Sequence, residues 1–151
     1  MSTVALSGND SMTLNGRIFS DFADGDCVLL DFSGEIAAVK TGKNGNSLYS
    51  FNASGLQCSL KVRLIRGSSD DKYMNAMLEA QNSNFEGTVL SQGQFVKRIG
   101  DGQGNVIKDT YVMSGGVFTK KPQAKNNVEG DTEQSVSVYE MKFSNAPRVI
   151  G

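Results

Sequence analysis

Histidine is absent from the 151 residues, and cysteine and proline occur only twice each. Histidine is the commonest general acid/base and the commonest transition-metal ligand, so its absence weighs against most hydrolases and against a bound metal. Cys27 and Cys58 are too few for a disulfide framework and too far apart for a CxxC motif. We interpret both as small core side chains, and a bridge between them stays open. The sequence thus predicts no enzyme, no cofactor and no metal site.

Excess charge and long apolar runs are also lacking. Lys and Arg number 15 against 16 Asp and Glu, so nothing in the composition indicates a protein that binds nucleic acid directly. No stretch reaches the roughly 18 apolar residues of a membrane span. Residues Met1 to Asn9 carry no basic or apolar leader pattern, so we expect a soluble protein made without export and without a membrane partner.

Glycine, in contrast, is abundant: 17 glycines with 2 prolines indicate many tight turns between strands. The length favours one domain, residues 1–151, with one compact core.

Three early segments have strand patterns. Leu56 to Leu64 alternates apolar and polar residues, as a half-buried strand does. Asp26 to Phe32 is apolar at nearly every position, which predicts a strand covered on both faces, either by the core or by another subunit. Met12 to Phe19 is predicted to form a hairpin, since Asn15-Gly16 suits a type I′ turn.

Later segments continue the β pattern. Thr88 to Ile99 and Val106 to Lys120, separated by residues 100–105, predict a long hairpin. Gly115-Gly116 predicts a bulge or the close approach of another backbone. Four apolar residues of the second strand share one parity: Ile107, Tyr111, Met113 and Val117.

The last predicted strand, Gln134 to Phe143, changes phase along its length. Its apolar residues are Val136 and Val138 in one phase, then Tyr139, Met141 and Phe143 in the other. A bulge, or an interface on the second face, would explain the change.

One helix is predicted near Ser69 to Gln81. Ser68 and Asp71 have the spacing of a capping-box variant. A stripe at helical spacing follows, formed by Tyr73, Met74, Met77 and Leu78. The stripe indicates core packing, because it presents no convergent polar groups. The fold class is therefore mainly β with one α-helix, an antiparallel β-sandwich or partial barrel.

Two long polar segments remain, Ser33 to Asn46 and Pro122 to Thr132. Both are predicted to be irregular loops. Long loops in compact domains are usually functional, so partner contacts are expected there.

Motifs for chemistry are better explained as turns. Gly100 to Gly104 lacks the GxGxxG spacing and precedes a strand, which excludes a dinucleotide loop. Asp101, Gln103 and Asn105 have calcium-loop spacing without the required glycine and glutamate. Thr41-Gly42-Lys43 lacks the upstream glycine of a P-loop. The acidic residues Asp21, Asp24, Asp26 and Asp31 are interpreted as polar turn residues rather than a metal site.

Several segments together resemble the tail tube family of contractile-tailed bacteriophages. In chain order they are Leu14–Arg17, Ala38–Gly45, Arg63–Gly67 followed by Asp70–Lys72, Phe95–Gly102 and Asn127–Glu133. The resemblance spans nearly the whole chain, but these are family-style patterns and not catalytic signatures.

The resemblance implies a structural virion protein that forms homohexameric rings, with strands joining a ring-wide β-barrel. The rings would stack into the inner tail tube, which conducts DNA without binding it specifically. Its partners would be the tail sheath protein, the baseplate and the tail-terminator protein, in a virion assembled in the host cytoplasm. Segment 33–46 would reach the adjacent ring through Lys40, Thr41, Gly42, Lys43, Asn44, Gly45 and Asn46.

Two alternatives stay open. An inner-tube protein of a tailocin or type VI secretion system would have the same architecture. A monomeric β-sandwich binding module or small enzyme would instead be a stable monomer with a concave site.

Overall fold

The computed structural model describes residues 3–7, 10–23, 25–124 and 132–151. The elements are β1 (Ser11–Leu14), β2 (Arg17–Ile18), β3 (Val28–Asp31), β4 (Ala37–Thr41), β5 (Ser47–Phe51), β6 (Cys58–Ile65), α1 (Ser69–Ser83), β7 (Ser91–Gly100), β8 (Val106–Lys120), β9 (Val136–Phe143) and β10 (Arg148–Ile150). Short 3-10 helices lie at Ala53–Leu56 and Thr132–Ser135.

Eight strands form one antiparallel sheet in the order β2-β1-β7-β8-β9-β6-β3, with β10 added beside β8. The prediction of a mainly β, antiparallel fold with one helix is confirmed. Among the described strands, β2 and β3 each have a neighbour on one side only, so the sheet of the single chain is open. Strands β4 and β5 pair with each other and with no other described strand.

Strand β8 links the two halves of this sheet. Most of its length pairs with β7 and its last residues pair with β9. The register of β8 with β7 shifts near Gly115, which has φ +68°. At the next residue, a Cβ on Gly116 would overlap the ring of Phe143. The predicted irregularity is confirmed, although a side chain makes the close approach. The shift changes which residues of β8 face the core: Met113 is buried before it and Phe118 after it, so the shared parity of Met113 and Val117 does not give them equal burial.

The core lies between the sheet halves and the helix. Its fully buried large side chains are Met12, Leu14, Leu60, Val62, Leu64, Met74, Met113, Tyr139, Met141 and Phe143. Strand β6 supplies alternate residues to it, as its pattern predicts. Strand β9 pairs with β6 without interruption, so a bulge in β9 is not the reason for its phase change. Val136 and Val138 instead lie half-buried on the opposite face.

Strand β3, at one edge of the sheet, departs from its prediction. Val28 and Leu30 pack against the core, but Leu29 is 46% exposed. Strand β3 is therefore covered on one face within the chain, and cover of the other face by a second subunit stays a prediction.

Helix α1 is confirmed and runs two residues further than predicted. The backbone N–H of Asp71 donates to the Ser68 hydroxyl at 3.2 Å, which caps the first turn. Met74 and Leu78 are buried, as the apolar stripe predicts. At the other end, the Gln81 side chain donates to the Phe118 carbonyl and accepts from the Phe118 N–H, each at 2.9 Å. This amide pairs with the backbone of β8 as a neighbouring strand would.

A buried carboxylate fixes the start of the helix to the chain before it. Asp70 accepts the backbone N–H groups of Ser20 and Asp21, both at 2.8 Å, and the Arg17 guanidinium at 3.0 Å. Burial acts to raise the pKa of Asp70, but the N–H groups of Asp21 and Ser20 and the charge of Arg17 outweigh it and hold that pKa below its usual value.

The turn predictions hold at two hairpins. Asn15 has φ 52° and Gly16 φ 82°, as a type I′ turn requires. At the β7–β8 tip, Asp101 accepts from the Asn105 side chain at 2.9 Å and from the Gln103 N–H at 2.7 Å. These bonds lower the pKa of Asp101.

The remaining polar predictions are only partly covered by the structure. Cys27 and Cys58 are free thiols, and burial raises the pKa of Cys58. Asp24 lies outside the described residues. Across the described part of the chain, no group of His, Cys, Asp or Glu is arranged to hold a metal ion.

Candidate assembly surface

The predicted loop Ser33 to Asn46 is largely the first half of a β-hairpin, so its prediction as irregular is wrong. Strand β4 crosses it, and β5 follows the turn. Each strand has only five residues, and the central Asn44-Gly45 turn signal is surrounded by polar residues, which hid the pairing. The cluster of Leu48, Tyr49 and Phe51 directly after the turn was the signal that could have revealed it, because strands favour aromatic residues. We refer to residues 36–52 as the arm.

The seven predicted assembly residues form the free end of the arm. Lys40 and Thr41 end β4, and the other five form the turn: Gly42, Lys43, Asn44, Gly45 and Asn46. The Gly42 N–H donates to the Asn46 carbonyl at 2.6 Å, and the Gly45 N–H donates to the Gly42 carbonyl at 3.1 Å. Gly45 has φ 82°, a conformation that favours glycine. All seven residues are exposed.

One face of the arm is apolar and uncovered. The register places Val39 opposite Tyr49 and Ala37 opposite Phe51, so these side chains share a face. Val39 is 59% exposed, Tyr49 77% and Phe51 71%. An isolated two-stranded hairpin is at best marginally stable in water, and clustered exposed apolar side chains mark interaction sites.

Two close contacts set the base of the arm. A Cβ on Gly34 would lie 2.7 Å from the Cα of Gly55, so the incoming and outgoing chains cross where neither can carry a side chain. The Asn52 N–H donates to the Ile36 carbonyl at 2.9 Å and extends the hairpin to this crossing. The arm therefore leaves the sheet from a tightly packed point.

An aromatic and ionic cluster anchors the chain just before the arm. The Phe32 ring lies 5.8 Å from the ring of Tyr111 on β8, and the Arg148 guanidinium lies 5.6 Å from the same ring. Arg148 also donates two hydrogen bonds to Asp109, at 2.8 and 2.7 Å. These bonds, with the positive charge of Arg148, lower the pKa of Asp109 against the effect of desolvation.

The charge of the arm has one sign. Residues 36–52 contain Lys40 and Lys43 and no acidic residue. Among the described residues, neither lysine has an ion pair or a side-chain hydrogen bond. The arm thus presents an apolar face and two unneutralised positive charges at its free end.

The second predicted loop, Pro122 to Thr132, can be followed only in part, since residues 125–131 lie outside the described chain. Residues 122–124 border a groove of about 320 Å³ beside α1. In this groove the Tyr139 hydroxyl donates to the Asp71 carboxylate, and burial together with Asp71 raises the pKa of Tyr139. The phenol therefore stays protonated at neutral pH and serves as a structural donor.

No helix in the described residues is long and apolar enough to cross a membrane.

Comparison with known proteins shows likeness in fold and not in sequence. No protein-family model and no curated protein matches the chain. A chain of the PVC sheath/tube terminator in its extended state, from an extracellular contractile injection system, aligns with a TM-score of 0.57 at 10% identity, over 95% of this chain and 94% of that one. A chain of the PVC sheath-tube complex in its extended state aligns with a TM-score of 0.57 at 9% identity, over 94% of this chain and 87% of that one. The fold of this chain is thus similar, over nearly its whole length, to components of a contractile injection machine.

Proposed function

We propose that this chain is a structural, non-enzymatic subunit of a contractile tail, which polymerises as stacked hexameric rings into the inner tube. The observation that carries the proposal is the arm, a hairpin with an uncovered apolar face on an otherwise well-packed body. The whole-length fold likeness to the PVC components supports the choice of machine.

A second subunit gives the arm the cover that its own chain does not. Burying a large apolar side chain is worth about 1.5–3 kcal/mol. Three side chains of that size, Val39, Tyr49 and Phe51, lie on one face. Their burial against the adjacent ring outweighs the ordering of the arm and repeats at every subunit of the ring.

Lateral contacts within a ring would use the sheet edges. Strands β2 and β3 end the described sheet, and Ile18 on β2 is 70% exposed. Open edges with exposed apolar residues are templates for further strand pairing. Edge-to-edge joining of copies would close the open sheet into a ring-wide barrel.

The remaining parts of the proposal follow from the assembly. The net charge of -1 suits a conduit that DNA crosses without being retained. The tube would contact the sheath, baseplate and tail-terminator proteins in a phage virion assembled in the host cytoplasm. The same subunit design would serve a tailocin or a type VI secretion system.

A tube terminator is the second candidate. The alignment covers 94% of the chain from the PVC sheath/tube terminator, against 87% of the chain from the sheath-tube complex. A terminator would form a single ring that does not stack on itself, which separates it from a tube subunit.

The test is electron microscopy with sedimentation of the purified protein across a range of concentration. Hollow tubes support the tube subunit, single rings the terminator, and a monomer at every concentration refutes both. A variant with residues Lys40 to Asn46 replaced by Asn-Gly should keep its circular dichroism spectrum, because those residues add no apolar side chain to the core. The same variant should lose tube growth, because it lacks the free end of the arm. Tubes of wild-type length from this variant would show that stacking depends on another surface.

A further inference from the structure

A second exposed apolar surface lies in the loop between α1 and β7. Phe85 is 65% exposed, Val89 88% and Leu90 54%. We refer to residues 84–90 as the docking loop. Among the described residues of the chain, the arm included, none covers these side chains.

The docking loop is held in one shape by its own hydrogen bonds. The Gly87 N–H donates to the Asn84 side-chain oxygen at 3.2 Å, and the Thr88 hydroxyl donates to the Asn84 carbonyl at 3.2 Å. The Thr88 N–H donates to the Phe85 carbonyl, also at 3.2 Å. The exposed side chains are thus displayed on a formed turn, which lowers the entropic cost of binding.

The docking loop and the arm carry opposite charge. Residues 84–92 contain Glu86 and no basic residue, whereas the arm contains Lys40 and Lys43 and no acidic one. Glu86, like the two lysines, has no ion pair or side-chain hydrogen bond among the described residues. Each surface therefore combines three exposed apolar side chains with charge that its own chain leaves unpaired.

From this match we infer that the arm of one copy docks on the docking loop of the next. The apolar face of Val39, Tyr49 and Phe51 covers Phe85, Val89 and Leu90, and Lys43 in the adjoining turn lies near Glu86. Lys40, which pairs with Leu48, is on the other face of the arm. Two different surfaces meet in this contact, so each copy keeps one of each available and the assembly can continue. The inference rests on the proposed self-assembly and names the receiving surface.

Another apolar region fits the arm less well. It flanks the far end of the β7–β8 hairpin and consists of Val4, Leu6, Val149 and Ile150. There Arg98 lies directly opposite Lys108 in the sheet register, and both are exposed. This positive pair would repel the arm lysines, because like charges in contact are unfavourable. The charges beside the two apolar regions therefore favour the docking loop as the surface that receives the arm.

Charge reversal tests the inference in full-length protein. Glu86→Lys alone and Lys43→Glu alone should each reduce sedimenting polymer at least tenfold, and the double variant should restore it. The matched control is Lys108→Glu, which should leave polymer yield unchanged. If Glu86→Lys forms tubes as wild type does, or if the double variant shows no recovery, the docking loop is not the receiving surface.

Crosslinking between copies gives a second measurement that does not depend on polymer yield. Ser47→Cys lies on the apolar face of the arm and Val89→Cys on the docking loop, and both are conservative in size. Mixed in a Cys27→Ser background under mild oxidation, these two variants should form a disulfide-linked dimer containing one copy of each. A mixture of Ser47→Cys and Val149→Cys should not form such a disulfide-linked dimer.

The two possible failures are distinguishable. Wild-type tubes with crosslinks to Val149→Cys and none to Val89→Cys would overturn this contact and leave the proposed function standing. Wild-type protein that stays monomeric at every concentration would overturn both.

Discussion

Strand β6 and the two strands of the arm all carry apolar residues in paired β-strands but differ in burial. In β6 every second side chain is buried, including Leu60 and Leu64 at 0% exposure. In the arm every residue of both strands is exposed, including Leu48 at 72%. The β pattern alone therefore does not say where the apolar face finds cover. In β6 it is the core of the same chain, and in the arm we propose that it is another copy.

Paired leucine substitutions should produce the largest difference between the two regions. Leu60→Ala in β6 removes a fully buried side chain and should lower the free energy of unfolding by about 2–5 kcal/mol. Leu48→Ala in the arm should change it by less than about 0.5 kcal/mol in the monomer. Urea denaturation at a concentration below assembly measures both. Equal losses would show that the arm packs against its own body.

The Asp70 carboxylate gives a smaller effect that depends on pH. Asp70→Asn loses the charge that accepts from Ser20, Asp21 and Arg17, and it should cost about 2 kcal/mol at pH 7. The pKa of Asp70 is lowered in the folded state, so its contribution is fully present above the ordinary Asp pKa of about 3.9. It is lost as the pH falls from there towards the folded pKa.

Denaturation of wild type and Asp70→Asn at pH 7 and near pH 3 measures this contribution. The difference between the two proteins should shrink in acid. The exposed Asp26→Asn should behave as wild type at both pH values. A difference between wild type and Asp70→Asn that grows in acid would contradict the assigned bonding.

The smallest expected effect concerns the anchor at the base of the arm. Phe32→Ala removes the ring contact with Tyr111 and should lower global stability by about 1 kcal/mol. Tryptic cleavage at Lys40 and Lys43 should become faster, because the arm is held less firmly to β8. Phe85→Ala, which removes an exposed ring outside the anchor, should leave cleavage at wild-type rate. No change in Phe32→Ala would indicate that the Gly34–Gly55 crossing alone holds the arm.

The body of the fold could largely be predicted from local sequence. The Asn15-Gly16 turn, the Ser68 cap and the β6 alternation each depend on residues within one element, so one sequence is enough to identify them. Gly115-Gly116 indicates an irregularity in β8, but the resulting change of buried face could not be read from this strand alone. Ser144 packs against Gly115 and Phe143 against Gly116, and both come from a distant part of the chain.

The sequence indicates that Lys40 to Asn46 form an exposed polar segment but does not show its form, and its role in assembly stays a prediction. The residues Lys40 to Asn46 were selected because the segment is long and polar, and the structure places them at the free end of a hairpin. The sequence does not readily reveal the hairpin, because its strands are short, and its apolar face has no partner among the described residues. The docking loop carried no pattern that a single sequence distinguishes from an ordinary turn, since burial decides whether Phe85 and Val89 are core or surface.

Hydrogen exchange of the arm in dilute and in assembled protein tests the central claim most directly. The account predicts that amides of β4 and β5 exchange quickly in the monomer and become strongly protected in tubes, while β6 is protected to the same degree in both states. Arm amides that exchange equally fast in the monomer and in the assembled protein would contradict it.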